Sequence, residues 1–253
     1  MLFALLLAAS PWTTLRDGVE TAELAFDAKT KATVRVVRID PEKAELEFAL
    51  RSREGGGKRT AAQWADERGY VAVINAGMFE MDHTSNVGRL ISGAHQNNAA
   101  WKGAYQSVLV FGPTRRGLPK AQVLDLDAPG TRELAALYTS MVQNLRLIKS
   151  PGVSVWKKNG RAWSEAAIAQ DDQGRLLFLF TRTPFQMVEW NERVLKLGLG
   201  VMRAFHVEGG PEASLTLRGA VKADLCGSYE TGFVENDGNT EQWELPNIIG
   251  VKR

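Results

Sequence analysis

The sequence predicts a single α+β domain built from mixed β-sheets and a few packed helices. Most segments are strand-like, with either period-two alternation or short continuous apolar runs. The few helical segments fall between them without the strict strand–helix alternation of a Rossmann fold or a barrel. Because no linker or internal repeat divides the chain, we expect one domain over residues 19–253.

An apolar stretch, MLFALLLAAS, opens the chain and ends in small residues, as a secretory signal does. It is too short to cross a bilayer and carries no Lys or Arg before the apolar run. We predict a signal peptide over residues 1–18 and a bacterial protein that is periplasmic or secreted, with no membrane span after processing. The alternative is a frayed apolar N terminus. Cys226 is the only cysteine, so neither an intrachain disulfide nor a CxxC motif can form.

Two alternating segments, 33–39 and 44–50, are separated by Asp40-Pro41 and predict a hairpin. The glycine run REGGGKR (53–59) is typical of another hairpin tip. A short helix is predicted next, capped by Thr60 and ended by Gly69. The continuous apolar run YVAVIN that follows, residues 70–75, predicts a fully buried strand.

The rest of the chain shows the same kinds of helix and strand signals. TPFQMVEWNERVLKLG (183–198) is the best helix, with Thr183 as N-cap, Pro184 at the first helical position and Gly198 as its end. Strands are predicted over 105–112, 166–172, 175–181, 201–210 and 246–253, the second and third being joined at Gln173-Gly174.

The composition excludes several classes of function. The formal net charge is +2 and the basic residues are scattered, so no nucleic-acid partner is expected. Neither a GxGxxG nor a GxxxxGK[ST] motif occurs, so no nucleotide cofactor is expected. The oxygen-rich stretch 236–241 lacks EF-hand spacing, and no metal is assigned.

Polar residues follow the buried strand at 70–75. Asn75 can present both an amide donor and a carbonyl acceptor to a ligand, and Gly77 lets the backbone turn or approach that ligand closely. The alternative is an Asn that simply caps a turn.

The stretch HVEGGPEAS (206–214) leaves a predicted strand. Glu208 lies at the edge of the core, where desolvation raises a carboxyl pKa toward the range of a general acid. The next residues supply backbone N–H groups, a second carboxylate and a hydroxyl: Gly209, Gly210, Glu212 and Ser214. His206 alternates with Glu208, so the two side chains are expected to share a face. The alternative is a charged turn with a structural histidine.

Two further residues complete the candidate set. Arg161 precedes a predicted strand, where a guanidinium can clamp a phosphate. Trp243, in a long aromatic C-terminal segment, is placed to stack on a sugar ring. The alternatives are a solvated arginine and an aromatic side chain that only pins its loop.

Together, NAGMF, the arginine before a strand and EGGPEAS resemble the motifs of the phosphodiester glycosidase family over about residues 30–253. The family aspartate is Glu208 here. The resemblance implies that fold and hydrolysis of a sugar-1-phosphodiester at the anomeric carbon, without a cofactor. It implies catalytic roles for Glu208, Arg161 and Asn75, and substrate binding by Gly77, Gly209, Gly210 and Ser214. From their own positions in the sequence, Glu212, His206 and Trp243 are added as expected substrate-binding residues.

Two other functions stay open. A carbohydrate-binding or exopolysaccharide-assembly protein could keep the fold without turnover. A serine hydrolase using Ser214 and His206 is disfavoured because the chain has no GxSxG elbow.

Overall fold

The computed structural model describes residues 10–253, so residues 1–9 of the predicted leader lie outside it. The strands are, in chain order, β1 Thr13–Arg16, β2 Val19–Asp27, β3 Ala32–Ile39, β4 Leu46–Leu50, β5 Tyr70–Asn75, β6 Leu90–Ser92, β7 His95–Asn98, β8 Ser107–Pro113, β9 Ala121–Asp125, β10 Tyr138–Asn144, β11 Arg146–Lys149, β12 Val153–Ser154, β13 Trp163–Asp171, β14 Leu176–Phe185, β15 Val201–Gly209, β16 Ser214–Leu217, β17 Ala223–Cys226 and β18 Asn247–Lys252. The helices are α1 Arg51–Glu54, α2 Ala61–Arg68, α3 Thr131–Ala135 and α4 Met187–Lys196, and a 3-10 turn covers Gly210–Glu212.

The strands form three sheets. The largest has eight strands in the order β1-β2-β3-β14-β13-β15-β11-β12, and the other two have the orders β7-β6-β10-β8-β9 and β17-β16-β5-β18-β4. All the pairings between these strands are antiparallel, where mixed sheets were expected. One domain of sheets with few helices is confirmed, but the chain is mostly β, so the α+β class describes it only approximately.

A single apolar core joins the three sheets. Phe178 of β14, Ile74 of β5 and Leu109 of β8 come from different sheets and belong to one buried cluster. The helices cover the remaining apolar faces: α4 packs on the eight-stranded sheet through Trp190, and α2 packs on the sheet containing β5 through Trp64. Because every sheet buries one face in the shared core, the sheets cannot form separate domains.

Helix α2 forms as its capping residues predict. The Thr60 hydroxyl accepts from the Gln63 N–H, the Gln63 side chain accepts from the Thr60 N–H, and Gly69 ends the helix in the left-handed conformation. The strand that follows, β5, is buried at all six positions and is the central strand of its sheet. The hairpin of β13 and β14 around Gln173-Gly174 is also confirmed.

Two predicted hairpins are wrong. Strand β3 pairs with β2 and β14, whereas β4 lies in another sheet and pairs with β18. Asp40-Pro41 is therefore a crossing between sheets, because each strand pairs with partners distant in the chain. Residues 53–59 cover the end of α1 and most of its connection to α2, and they are not a hairpin tip.

The predicted start of the last long helix is also wrong. Thr183 and Pro184 remain in β14, which continues to Phe185, and α4 begins at Met187 after Gln186. The residues with good capping properties are held in the sheet because the bulged pairing of Trp163 with Phe185 extends the β13–β14 ladder. Tertiary pairing overrides the local capping preference here.

The N-terminal end of the described chain is part of the fold. Strand β1, inside the predicted leader 1–18, pairs with β2 at the edge of the largest sheet. The Arg16 guanidinium donates to the carbonyls of Lys252 and Lys43, so it ties this edge to the neighbouring sheet. No helix within residues 10–253 has the length and apolar character needed to cross a bilayer.

Candidate active site

Strand ends from two sheets meet around the 3-10 turn Gly210–Glu212. Strand β15 runs directly into this turn, and β16 leaves it at Ser214 to pair with β5. The start of β13 lies alongside, because Glu165 pairs with Gly209. The turn therefore joins the largest sheet to the sheet containing β5, and the polar residues at these strand ends surround it.

Glu208 is a buried acid at the end of β15. It is 5% exposed, its Oε1 accepts from the Gly209 N–H at 3.1 Å, and its buried Oε2 has no hydrogen-bond partner in the described structure. Burial raises the pKa of Glu208 well above its usual range, and the charge of Glu212 raises it further. Glu208 therefore holds its proton at a pH where an ordinary glutamate has lost it, which suits a general acid.

Glu212 is the second carboxyl of the pair. Burial and the charge of Glu230 raise its pKa to about 6. Asp82 follows the NAGMF motif and points into its own loop, where its carboxylate accepts from the Ser85 hydroxyl at 2.6 Å. Glu212, whose charge acts on Glu208, is therefore the second carboxyl of the site, and Asp82 holds its own loop.

Asn75 links the two sheets at this turn. Its Nδ2 donates to the Glu212 carbonyl at 3.0 Å, and its Oδ1 accepts from the Ser214 N–H at 2.8 Å. The Ser214 hydroxyl donates to the same carbonyl at 3.3 Å and is fully buried. Both side chains hold the backbone beside Glu212, and no hydrogen bond connects Ser214 to His206 in the described chain.

The two glycines of the turn make room for large side chains. A Cβ on Gly209 would lie 2.7 Å from the Trp163 ring, and one on Gly210 would lie 2.8 Å from Oε2 of Glu230. Gly210 also has a φ of 60°, which favours glycine. The glycines thus bring Trp163 and Glu230 against the turn, where an anion-binding nest was expected.

His206 bonds to an acid that the sequence analysis missed. Its Nδ1 lies 2.9 Å from both carboxylate oxygens of the fully buried Glu165, and the Trp163 indole N–H donates to the same carboxylate at 2.6 Å. Burial raises the pKa of Glu165, and His206 opposes that shift. Glu165 directly precedes the strand predicted over 166–172, so a charged residue at the edge of an apolar run was the available signal.

The shared face predicted for His206 and Glu208 is interrupted by a β-bulge. His206 pairs with Ala167 and Glu208 pairs with Ala166, so one extra residue of β15 lies between them. A bulge changes the direction of the side chains that follow it. The alternation used in the prediction therefore does not continue through Val207.

Arg161 lies at the rim of the site. Its side chain is 58% exposed, and its guanidinium is 3.6 Å from Oε1 of Glu230. Since Glu230 also lies against Gly210, the arginine reaches the turn only through this carboxylate. The charged side chain that is buried near the start of β13 is Glu165, not Arg161.

Gly77 lies against two buried amides. A Cβ at Gly77 would approach Oδ1 of Asn144 to 2.7 Å and Oδ1 of Asn86 to 3.1 Å. Asn144 donates to the Ala76 carbonyl, and Asn86 donates to the Gly88 carbonyl. Glycine is needed here so that the chain after β5 can pack closely on these side chains.

Trp243 and Glu212 line one cavity of about 430 Å³. The indole is partly exposed and packs edge-on against Phe233. The other lining residues are mostly polar: Lys58, Thr60, Gln63, His83, Glu241, Gln242 and Glu244. An aromatic face among amides and carboxylates is suited to a sugar ring.

A larger open cavity, about 1200 Å³, lies at the opposite end of β13 beside Gln170 and Gly174. It contains none of the candidate residues, so size alone does not identify the site. Within residues 10–253, no group of three or more His, Cys, Asp or Glu side chains is arranged to hold a metal ion.

Comparisons with known proteins agree with this architecture. A family model described as phosphodiester glycosidase matches residues 68–252. The structure is similar to a hypothetical protein from Synechocystis, with a TM-score of 0.67 at 14% identity, covering 96% of this chain and 64% of that chain.

It is also similar to the catalytic domain of zebrafish N-acetylglucosamine-1-phosphodiester alpha-N-acetylglucosaminidase, auto-inhibited by its pro-peptide. That match has a TM-score of 0.61 at 14% identity and covers 93% of this chain and 82% of that chain. No curated protein matches the sequence. Because the family model spans most of the chain, the protein belongs to the phosphodiester glycosidase family.

Proposed function

We propose that the protein hydrolyses the glycosidic bond of a sugar-1-phosphodiester, of the N-acetylglucosamine-1-phosphodiester type. The observation that carries the proposal is Glu208, a buried acid with one unpartnered oxygen and a second carboxyl, Glu212, beside it. Membership of the phosphodiester glycosidase family supports the reaction class. The zebrafish enzyme with a similar fold supports the choice of sugar for the first assays.

The two carboxyls take different roles because their different environments give them different pKa values. Glu208 keeps its proton and donates it to the departing phosphodiester oxygen as the anomeric C–O bond breaks. Glu212 is less buried and ionises at about pH 6, so it accepts a proton from the attacking water. Asn75 and Ser214 hold the backbone that carries Glu212 and act as positioning residues.

The cavity beside Glu212 is the proposed sugar site. Trp243 offers the ring face on which the sugar stacks, and the amides of Gln63 and Gln242 offer donors and acceptors to its hydroxyls. We expect Trp243→Ala to raise KM for every sugar substrate while leaving the fold intact, since the indole is partly exposed.

The decisive experiment is an assay of the purified protein on a panel of sugar-1-phosphodiesters, followed by release of reducing sugar. We expect turnover by the wild type and a loss of at least about 100-fold in Glu208→Gln, because the amide cannot donate the required proton. The control is Asp82→Asn, whose side chain only holds its own loop. Equal turnover in the wild type and Glu208→Gln would contradict the assignment.

A carbohydrate-binding or exopolysaccharide-assembly role is the second candidate. The same panel distinguishes the two, because a binding protein would retain sugar without releasing product in either the wild type or Glu208→Gln. We also propose export to the periplasm or cell exterior, which the apolar N-terminal stretch supports.

A further inference from the structure

The candidate site is strongly acidic, which is unusual for a site that must hold a phosphodiester anion. Glu165, Glu208, Glu212 and Glu230 all lie around the turn Gly210–Glu212. Arg161 is mostly exposed and faces Glu230, so its charge is largely compensated. A phosphoryl oxygen brought to this turn needs another donor.

His206 is the buried group with a free donor position. It is 5% exposed, and Nδ1 faces both oxygens of Glu165 at 2.9 Å. The Trp163 indole N–H donates to the same carboxylate and fixes its orientation. Nδ1 therefore shares a hydrogen bond with the Glu165 carboxyl group, and Nε2 has no protein hydrogen-bond partner among the described residues.

We propose that His206, held by Glu165, binds a phosphoryl oxygen of the substrate through Nε2–H. Glu165 is a positioning residue: its carboxyl group bonds Nδ1 and orients the ring so that Nε2 is free to meet the anion. The ligand class is a phosphate diester or monoester. The inference rests on the proposed function for its place in the reaction, but phosphate binding at His206 can be measured without turnover.

The binding test uses ¹⁵N-histidine NMR with dimethyl phosphate as the probe. The chain has three histidines, so the spectrum is simple and His206→Gln identifies the signal of interest. We expect dimethyl phosphate to shift the Nε2 signal of His206 and to leave that of His95, which faces the Ser52 hydroxyl at 2.8 Å, unchanged. An Nε2 that carries no proton when the probe is bound, or no shift at saturating probe, would overturn the proposal.

The kinetic test compares Glu165→Gln with the wild type. Loss of the charged partner should raise KM for a phosphodiester substrate about tenfold or more, since hydrogen bonds to charged groups are the stronger class, with a smaller change in kcat. A neutral aryl glycoside of the same sugar should show an unchanged KM. Equal effects on both substrates would indicate a merely structural role and contradict the proposal.

The wild-type NMR titration needs no variant other than the one used for assignment, so a poorly folding Glu165→Gln leaves the proposal testable. If phosphate binds at His206 but no substrate is turned over, the proposed function fails and this inference stands. If turnover occurs without any phosphate effect at His206, this inference fails and the proposed function stands.

Discussion

Glu208 and Glu212 show how burial sets the chemistry of two identical side chains. Both belong to one short stretch, yet Glu208 has an unpartnered buried oxygen while Glu212 lines an open cavity. Desolvation penalises the charged form of each, and the more buried residue is affected more. The acid and base roles proposed for the two residues follow from this difference in environment.

The raised pKa of Glu212 predicts a pH-dependent stability change in Glu212→Gln. The native state favours the protonated form, so wild-type stability is complete below about pH 4.5 and falls as pH rises through about 6. We expect Glu212→Gln to be more stable than the wild type above pH 6 by about 1 kcal/mol, allowing for solvent screening. Thermal melts across pH 4–8 measure this difference.

Asp82→Asn provides a control in which the effect on stability should depend on pH in the opposite direction. Hydrogen bonds from Ser85 and Thr84 lower the pKa of Asp82, so its contribution is present at neutral pH and is lost as pH falls. A stability gain for Glu212→Gln that does not change with pH would mean that the ionisation of Glu212 is not responsible.

At the scale of elements, the 3-10 turn depends on its glycines and on Asn75. Asn75 at the end of β5 binds both sides of the turn, so a strand of one sheet positions residues that follow a strand of another. The turn is therefore more than a charged turn, because these contacts fix the backbone of Glu212, whose charge acts on Glu208.

We expect Gly210→Ala to lose both stability and activity. The left-handed backbone disfavours alanine, and the new methyl group would press on Glu230. Stability should fall by about 1 kcal/mol more than in Gly117→Ala, which has a similar left-handed φ of 83° and open space around it. Activity should fall at least about tenfold in Gly210→Ala alone. Matching losses in the two variants would show that backbone strain, not the contact with Glu230, is responsible.

At the scale of the whole molecule, the site exists because three sheets share one core. Strand β5 and strand β15 belong to different sheets and are brought together by the turn and by Asn75. The same arrangement includes the N-terminal edge: Trp12 lies under the Arg38 guanidinium at 3.8 Å, and β1 pairs with β2. This edge lies inside the leader predicted over residues 1–18.

Deletion of residues 2–18 therefore tests the predicted boundary of the leader. We expect this variant to lose roughly 1–2 kcal/mol, or about 2–8 °C in Tm, because an edge strand and its hydrogen bonds are removed. Deletion of residues 2–9 alone is the matched comparison, because it keeps β1. If both deletions melt at the wild-type temperature, processing after residue 18 would be structurally acceptable.

Local patterns in the sequence determined the elements and much of the candidate set. The Thr60 capping box, the buried strand 70–75 and the hairpin at Gln173-Gly174 form as predicted, since their determinants lie within a few residues. The motifs around Asn75 and Glu208 likewise led to the family that the comparisons confirm.

Only the tertiary structure decided the partners of these elements and residues. The assignment of β3 and β4 to different sheets, the bulge between His206 and Glu208, and the pairing of His206 with Glu165 all depend on contacts between residues far apart in the chain. Side-chain alternation specifies a face but not a partner, and a pKa depends on what surrounds a group after burial. For that reason the burial of Glu208 and the nearby carboxyl of Glu212 could be predicted from sequence, while the charges of Glu165 and Glu230 and the histidine–glutamate pair could not.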